Sequence, residues 1–139
     1  MIDIIEHVRN PIEALLKARE YLNITTNSNG GGYCMITTPN TDSLSAKIMG
    51  KRWLHYNSEH LNYFNIKSMQ KLSELTGFKI IKYGTLLKTM RLNYMYFQLK
   101  EHNNKLLSDF VKYANYTPLI SKIDFPILSG DFYLILEKV

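Results

Sequence analysis

Met1-Ile-Asp-Ile-Ile-Glu-His-Val-Arg-Asn-Pro11 is an apolar strand end that runs into a polar cluster, Asp3, Glu6 and His7, and then into a helix start. A strand whose carboxyl end carries charged side chains before a helix is where open α/β sheets place their ligands. The stretch therefore reads as the interior of an α/β layer, with the rest of the chain supplying further strands and helices.

Outward from it, Asn10 stands before Pro11, and Glu13 follows in the first turn. An N-cap acceptor, a ring that presets φ and an acid near the helix N-terminus predict a helix from Pro11 to about Leu22. Its apolar residues Ile12, Leu15, Leu16, Ala18 and Leu22 lie largely on one stripe, suited to covering a sheet face. Asn23 to Gly32 reads as a polar turn. Its Gly30-Gly31-Gly32 run has the composition of a phosphate loop but the wrong order, because such loops follow a strand and open a helix. Here the glycines follow a helix and lead into Tyr33-Cys-Met-Ile-Thr-Thr38, an apolar, β-branched strand stopped by Pro39.

Beyond Pro39, Asp42 or Ser43 caps a short helix through Leu44 and Ile48 to Gly50. The block from Lys51 to Phe64 gathers Trp53, Tyr56, Tyr63 and Phe64 with His55 and His60 in a loop that reads as a lid or pocket wall. Its rings either stack on a flat acceptor or pack the lid. A helix beginning at Asn65 or Lys67-Ser68 buries Met69, Leu72 and Leu75 and ends at Gly77, and Phe78 to Tyr83 is a strand. Residues 86–115 read as mostly helical, with Leu106, Leu107, Phe110 and Val111 as a stripe. Pro118 to Pro126 brackets irregular structure, and Ser129-Gly130 turns into a last strand, Asp131 to Lys138.

Alternating strands and helices predict an α/β fold with a mostly parallel sheet, into which the last strand inserts antiparallel beside its predecessor. Residues 1–139 form a single domain, with 86–130 as an insertion within it.

Composition excludes several classes. Hydrophobic residues at 45%, charged residues at 21% and ten tyrosines rule out a disordered or collagen-like chain. No apolar run approaches the roughly 18 residues needed to span a bilayer. A secretory leader is not signalled, and a single cysteine, Cys34, permits no internal disulfide, so a cytoplasmic protein is expected. Cys34 lies in an apolar strand and reads as core. The 17 Lys+Arg against 12 Asp+Glu give a net charge of +5, but the basic residues are scattered and no nucleic-acid partner is expected.

Asp3-Ile-Ile-Glu-His-Val-Arg-Asn-Pro11, Ile36-Thr-Thr-Pro-Asn40, Glu59-His-Leu-Asn-Tyr-Phe64 and Leu75-Thr-Gly-Phe78 occur in an order and spacing that resembles the carboxyl-terminal half of class I S-adenosylmethionine-dependent methyltransferases. The branch it looks most like includes ubiquinone-biosynthesis O-methyltransferases and many sugar and surface-glycan enzymes. The resemblance implies a partial Rossmann-like sheet: the end of the fourth strand plus the fifth, sixth and antiparallel seventh, with flanking helices and a helical insertion. The first three strands, the glycine-rich cofactor loop and the ribose-binding acid are expected to be absent, as in a truncated enzyme.

The resemblance further implies S-adenosylmethionine as cofactor, Asp3 and Glu6 on the cofactor side, and His7 and His60 as catalytic residues on the acceptor side. Methyl transfer is an in-line displacement, so the protein mainly positions the reactants and supplies a base for an acceptor hydroxyl. His7 is the candidate base. The same cluster has the chemistry to hold a divalent ion, as in some ubiquinone-type relatives, or simply to order its loop by hydrogen bonds; no metal ligand is assigned. The expected acceptor is a small molecule, a quinone precursor or a glycan. The unpaired fourth-strand edge predicts a homodimer. The alternative reading is a non-catalytic methyltransferase remnant that serves self-association or partner binding.

Overall fold

Asn10 Oδ1 accepts the Glu13 N–H at 3.2 Å, closing the first turn of α1 (Pro11–Thr25) as the Asn-Pro start predicts. The computed structural model describes residues 1–25, 32–101, 105–115, 124–127 and 129–139. Positions 26–31 of the expected polar turn, Gly30 and Gly31 among them, lie outside the described residues, as does Pro118. Leu15 is fully buried, whereas Ile12 and Leu16 are exposed, so the apolar stripe of α1 is narrower than its composition suggests.

The main sheet has three strands: β1 (Tyr33–Pro39), β2 (Phe78–Thr85) and, between them, the chain's last strand, here β5 (Asp131–Lys138). β5 is antiparallel to both neighbours. The strand pairs are thus antiparallel, while β1 and β2 run in the same direction. Parallel pairing survives at Ile2 against Thr37 and Asn40 against Phe64. Thr37 N donates to Met1 O at 3.0 Å and Asp3 N to Thr37 O at 3.0 Å, which lays the first residues along the free edge of β1. The strand end read from Met1 to Asp3 is this short ladder.

α2 (Leu44–Met49) is capped by Ser43, whose Oγ accepts from Ala46 N, and a short 3-10 turn, Gly50–Arg52, leads to Trp53. α3 (Ile66–Leu75) opens on a capping box in which Asn65 Oδ1 accepts from Ser68 N, and Ser68 Oγ accepts from Asn65 N, both at 2.9 Å. Met69 and Leu72 are buried as predicted, but Leu75 is exposed. The core lies between these helices and the sheet, where Ile5, Leu15, Ile36, Met69, Leu134 and Leu136 are fully buried. Cys34 sits in this layer, and burial pushes its thiol up, which suits a core residue.

Residues 86–115 are mostly helical, but they open on a strand. β3 (Lys88–Arg91) pairs antiparallel with β4 (Asp124–Ile127), two segments far apart in sequence. Pro126, expected in irregular structure, sits opposite Thr89 in this two-stranded ribbon, where a strand always has an open edge for the residue that cannot donate. Between them lie α4 (Leu92–Glu101) and α5 (Lys105–Asn115). Leu99 and Val111 are buried in this part, Phe110 is exposed, and the side chains of Leu106 and Leu107 lie outside the description. Among the described residues, no helix is long and apolar enough to cross a membrane.

Candidate active site

Two loops clasp each other beyond the ends of β1 and its parallel neighbour. Glu6 O accepts from Leu61 N at 2.8 Å and Asn62 N at 3.0 Å, and Asn62 Nδ2 donates to Val8 O at 2.6 Å. Asn57 organises the second loop, its Oδ1 accepting from Glu59 N and His60 N at 3.0 Å each. Local polar chemistry therefore shapes each loop, and backbone bonds join them.

The clasp places two imidazoles edge to face, with ring centroids 4.7 Å apart: His7 and His60. His7 Nδ1 lies 2.9 Å from Glu59 O, and His60 Nδ1 lies 2.7 Å from His55 O. A carbonyl only accepts, so both rings carry their proton on Nδ1 and, when neutral, keep a lone pair on Nε2. Burial is the largest effect on His60 and lowers its pKa below the ordinary value. The bond to His55 O and nearby Glu6 oppose this, while His7 and His55 add to it.

Asp3 holds the other side of the wall in a left-handed conformation, φ +50°, unusual for a residue other than glycine. Its N–H donates to Thr37 Oγ1 at 3.1 Å, and its Oδ1 accepts from Thr37 Oγ1 at 2.9 Å. Its Oδ2 accepts from Lys88 Nζ at 3.0 Å. Lys88 Nζ also donates to Asp131 Oδ1 at 3.1 Å. Burial works against the Lys88 charge, but Asp131 and Asp3 together hold its ammonium above the ordinary pKa.

Asp131 is 1% exposed. Its Oδ2 accepts from Ser129 Oγ and lies 3.4 Å from His55 Nε2. Burial pushes this carboxyl up, but His55, Ser129 and Lys88 outweigh it and hold the group well below the usual carboxylate range. Asp3, His7, His55, His60, Lys88 and Ser129 line one cavity of about 830 Å³, together with Leu54, Asn57, Glu59, Leu87, Thr89, Arg91 and Tyr94.

Residues 1–83 of the chain match the family described as "Methyltransferase domain". The chain belongs to this methyltransferase-domain family. A solved SAM-dependent methyltransferase from Thermotoga maritima, named as a possible histamine N-methyltransferase, is similar with a TM-score of 0.51 at 15% identity. A solved structure from Bacillus halodurans, classed with the methyltransferases, is similar with a TM-score of 0.53 at 16% identity. These likenesses take in 100% and 99% of this chain but 54% and 61% of the solved chains, so the chain spans little more than half of each neighbour. At such identity they speak for the fold. No curated protein matches the sequence.

Within the methyltransferase domain, Asp3, His7 and His60 come together on the cavity wall, while Glu6 is 2% exposed and turned behind it. Glu6 Oε2 accepts from Thr38 Oγ1 at 3.0 Å, tying the loop to the end of β1. For a sulfonium cofactor, Asp3 fits as an anionic wall residue with lone pairs beyond its two hydrogen bonds. Glu6 fits as the support behind it. Ligand atoms of Glu6, His7 and His60 lie within 4.8 Å of one another, the one set among the described residues with the spacing to hold a metal ion.

Trp53, offered as either a stacking or a packing ring, is fully buried, its Nε1 donating to Ser45 Oγ and Ser129 O at 3.2 Å each. Tyr56 and Tyr63 remain exposed, and Phe64 is buried. Sequence reasoning placed His55 in the pocket-wall block without giving it a role, and did not single out Lys88, Ser129 or Asp131 for the site. The available signal was Asp131 itself, an acid after Ser129-Gly130 that directly precedes the apolar run from Phe132 to Leu136.

Proposed function

We propose that this methyltransferase domain transfers a methyl group from S-adenosylmethionine to a hydroxyl of a polar small molecule or glycan. The observation that carries the reading is the cavity wall: its lining is polar or ionisable apart from Leu54 and Leu87. Such a wall suits a hydroxylated, sugar-like acceptor better than the apolar tail of a quinone precursor.

When bound, the cofactor supplies an electrophilic methyl group on a positively charged sulfur. Asp3 presents its carboxylate to that positive charge, and Glu6 keeps the loop in register through Thr38 and the clasp. His60, whose lowered pKa keeps it neutral near pH 7, accepts the acceptor's hydroxyl proton at Nε2, and His7 orients the same hydroxyl. The segment 86–130 acts as an insertion that builds the far wall, because Leu87, Lys88, Thr89, Arg91 and Tyr94 all line the cavity. Incubation with methyl-deuterated S-adenosylmethionine and parallel pools of monosaccharides and prenylated phenols tests the reading by mass spectrometry. Label in the sugar pool is expected; label confined to the prenylated phenols, or in neither pool, contradicts it.

A second reading, self-association as a homodimer, is favoured by Tyr33 and Met35, which are exposed on the face of β1 away from the core, with Met35 opposite Ile135 on β5. Sedimentation velocity at micromolar concentration tests it. A dimer mass supports this reading, and a monomer contradicts it.

A further inference from the structure

A third histidine faces the same cavity. His55 is 16% exposed at its side chain, with Nε2 fully buried 3.4 Å from Asp131 Oδ2. The contact is at ion-pair distance, although the ring is not aimed for a well-formed hydrogen bond. Trp53 packs edge-on against the ring at 4.9 Å, and His60 stacks at 5.9 Å with planes 15° apart. Asp131 is in turn fixed by Lys88 and Ser129. Among the described residues, His55 is the only histidine with a carboxylate at ion-pair distance.

An ionised carboxylate favours an N–H over a lone pair, so Asp131 selects the tautomer of neutral His55 that is protonated on Nε2 and carries its lone pair on Nδ1. His7 and His60 hold the opposite tautomer, because each gives its Nδ1 proton to a carbonyl. One wall thus presents imidazole acceptors of both kinds.

We propose that His55 and Asp131 form a second proton-accepting pair of the cavity, His55 taking a hydroxyl proton at Nδ1 while Asp131 fixes the ring and stabilises the imidazolium. The role rests on the methyl-transfer reading. In that reaction the acceptor O–H bond breaks and its electron pair stays on oxygen. The oxygen forms a C–O bond to the methyl of the sulfonium donor as the C–S bond breaks with its pair onto sulfur. The proton held on Nδ1 then leaves to water. Asp131 is a positioning residue in this scheme.

The test needs neither cofactor nor acceptor. Diethyl pyrocarbonate acylates unprotonated imidazole nitrogen, and peptide mass spectrometry reads each histidine separately. In the folded chain His55 is expected to react, and Asp131→Asn is expected to slow it about tenfold, the lower end of the loss on removing a carboxylate behind a metal-bound histidine. His7 and His60 keep their rates. An unreactive His55, or one whose rate ignores Asp131→Asn, overturns the proposal. Should Asp131→Asn fail to fold, long-range ¹H–¹⁵N spectra of the wild-type chain, assigned with His55→Gln, decide it. A slowly exchanging Nε2–H at His55 supports the pair, and an Nδ1–H tautomer there overturns it. Failure of the methyl-transfer reading appears separately, as absence of S-adenosylmethionine binding, and leaves these results unmoved.

Discussion

His60 Nδ1 donates to the carbonyl oxygen of His55 at 2.7 Å. This side-chain-to-backbone bond fixes the tautomer of His60 and ties it to the residue whose ring nitrogen lies 3.4 Å from Asp131. The site's chemistry follows from this join of two loop histidines.

The pH dependence of folding should show His60. Burial lowers its pKa in the folded state, so the unfolded chain binds this proton more readily. Its contribution to stability is present above the unfolded value of about 6.5 and is lost as pH falls through that value towards the lower folded one. Urea midpoints measured across this range should fall with pH in the wild type, and His60→Gln should flatten that part of the curve.

Asp131 has a separate acid limb. Although burial pushes its carboxyl up, His55, Ser129 and Lys88 hold it well below the usual range. The stability it contributes is present above the unfolded value of about 3.9 and is lost as pH falls below it towards the lower folded value. Asp131→Ala leaves the Lys88 ammonium without its buried counter-charge and should cost about 3–5 kcal/mol near neutral pH, measured by chemical denaturation.

Gly130 is where the backbone demands glycine. Its φ is +100°, and an added Cβ would meet Ser45 Oγ and Ser43 Oγ as well as Trp53 Cζ2 at 2.9 Å. Gly130→Ala should destabilise by about 2–4 kcal/mol through strain and overpacking, and red-shift Trp53 fluorescence as the ring loosens; thermal melting and emission spectra check both.

Trp53 separates packing from hydrogen bonding. Trp53→Phe keeps an aromatic ring but leaves Ser129 O without the indole N–H, an expected loss of about 1–2 kcal/mol. Trp53→Ala empties a fully buried site and should cost about 3–5 kcal/mol. Equal losses in the two variants, by urea denaturation, would contradict this division.

Local chemistry made much of the fold legible. Asn10-Pro11 and Asn65-Ser68 start helices through bonds that span a few residues. The runs 33–38 and 131–138 are apolar enough to be strands in any context. The β3–β4 ribbon was not legible, because its pairing joins 88–91 to 124–127 and nothing local marks either segment as a strand. In the site, Asp3, His7 and His60 stood out through their motifs. The trio of His55, Lys88 and Asp131 did not, since those residues meet only after three distant segments have packed. Glu6 was expected on the cofactor side from the family resemblance; its burial against Thr38 depends on how β1 ends, which that motif does not specify.

Calorimetric titration of the chain with S-adenosylmethionine tests the central claim most directly. Saturable binding with a micromolar Kd is expected, weakened about tenfold by Asp3→Asn, the scale of one charged hydrogen bond. The absence of binding heat at millimolar cofactor, with the chain folded, would contradict a methyltransferase site in this chain.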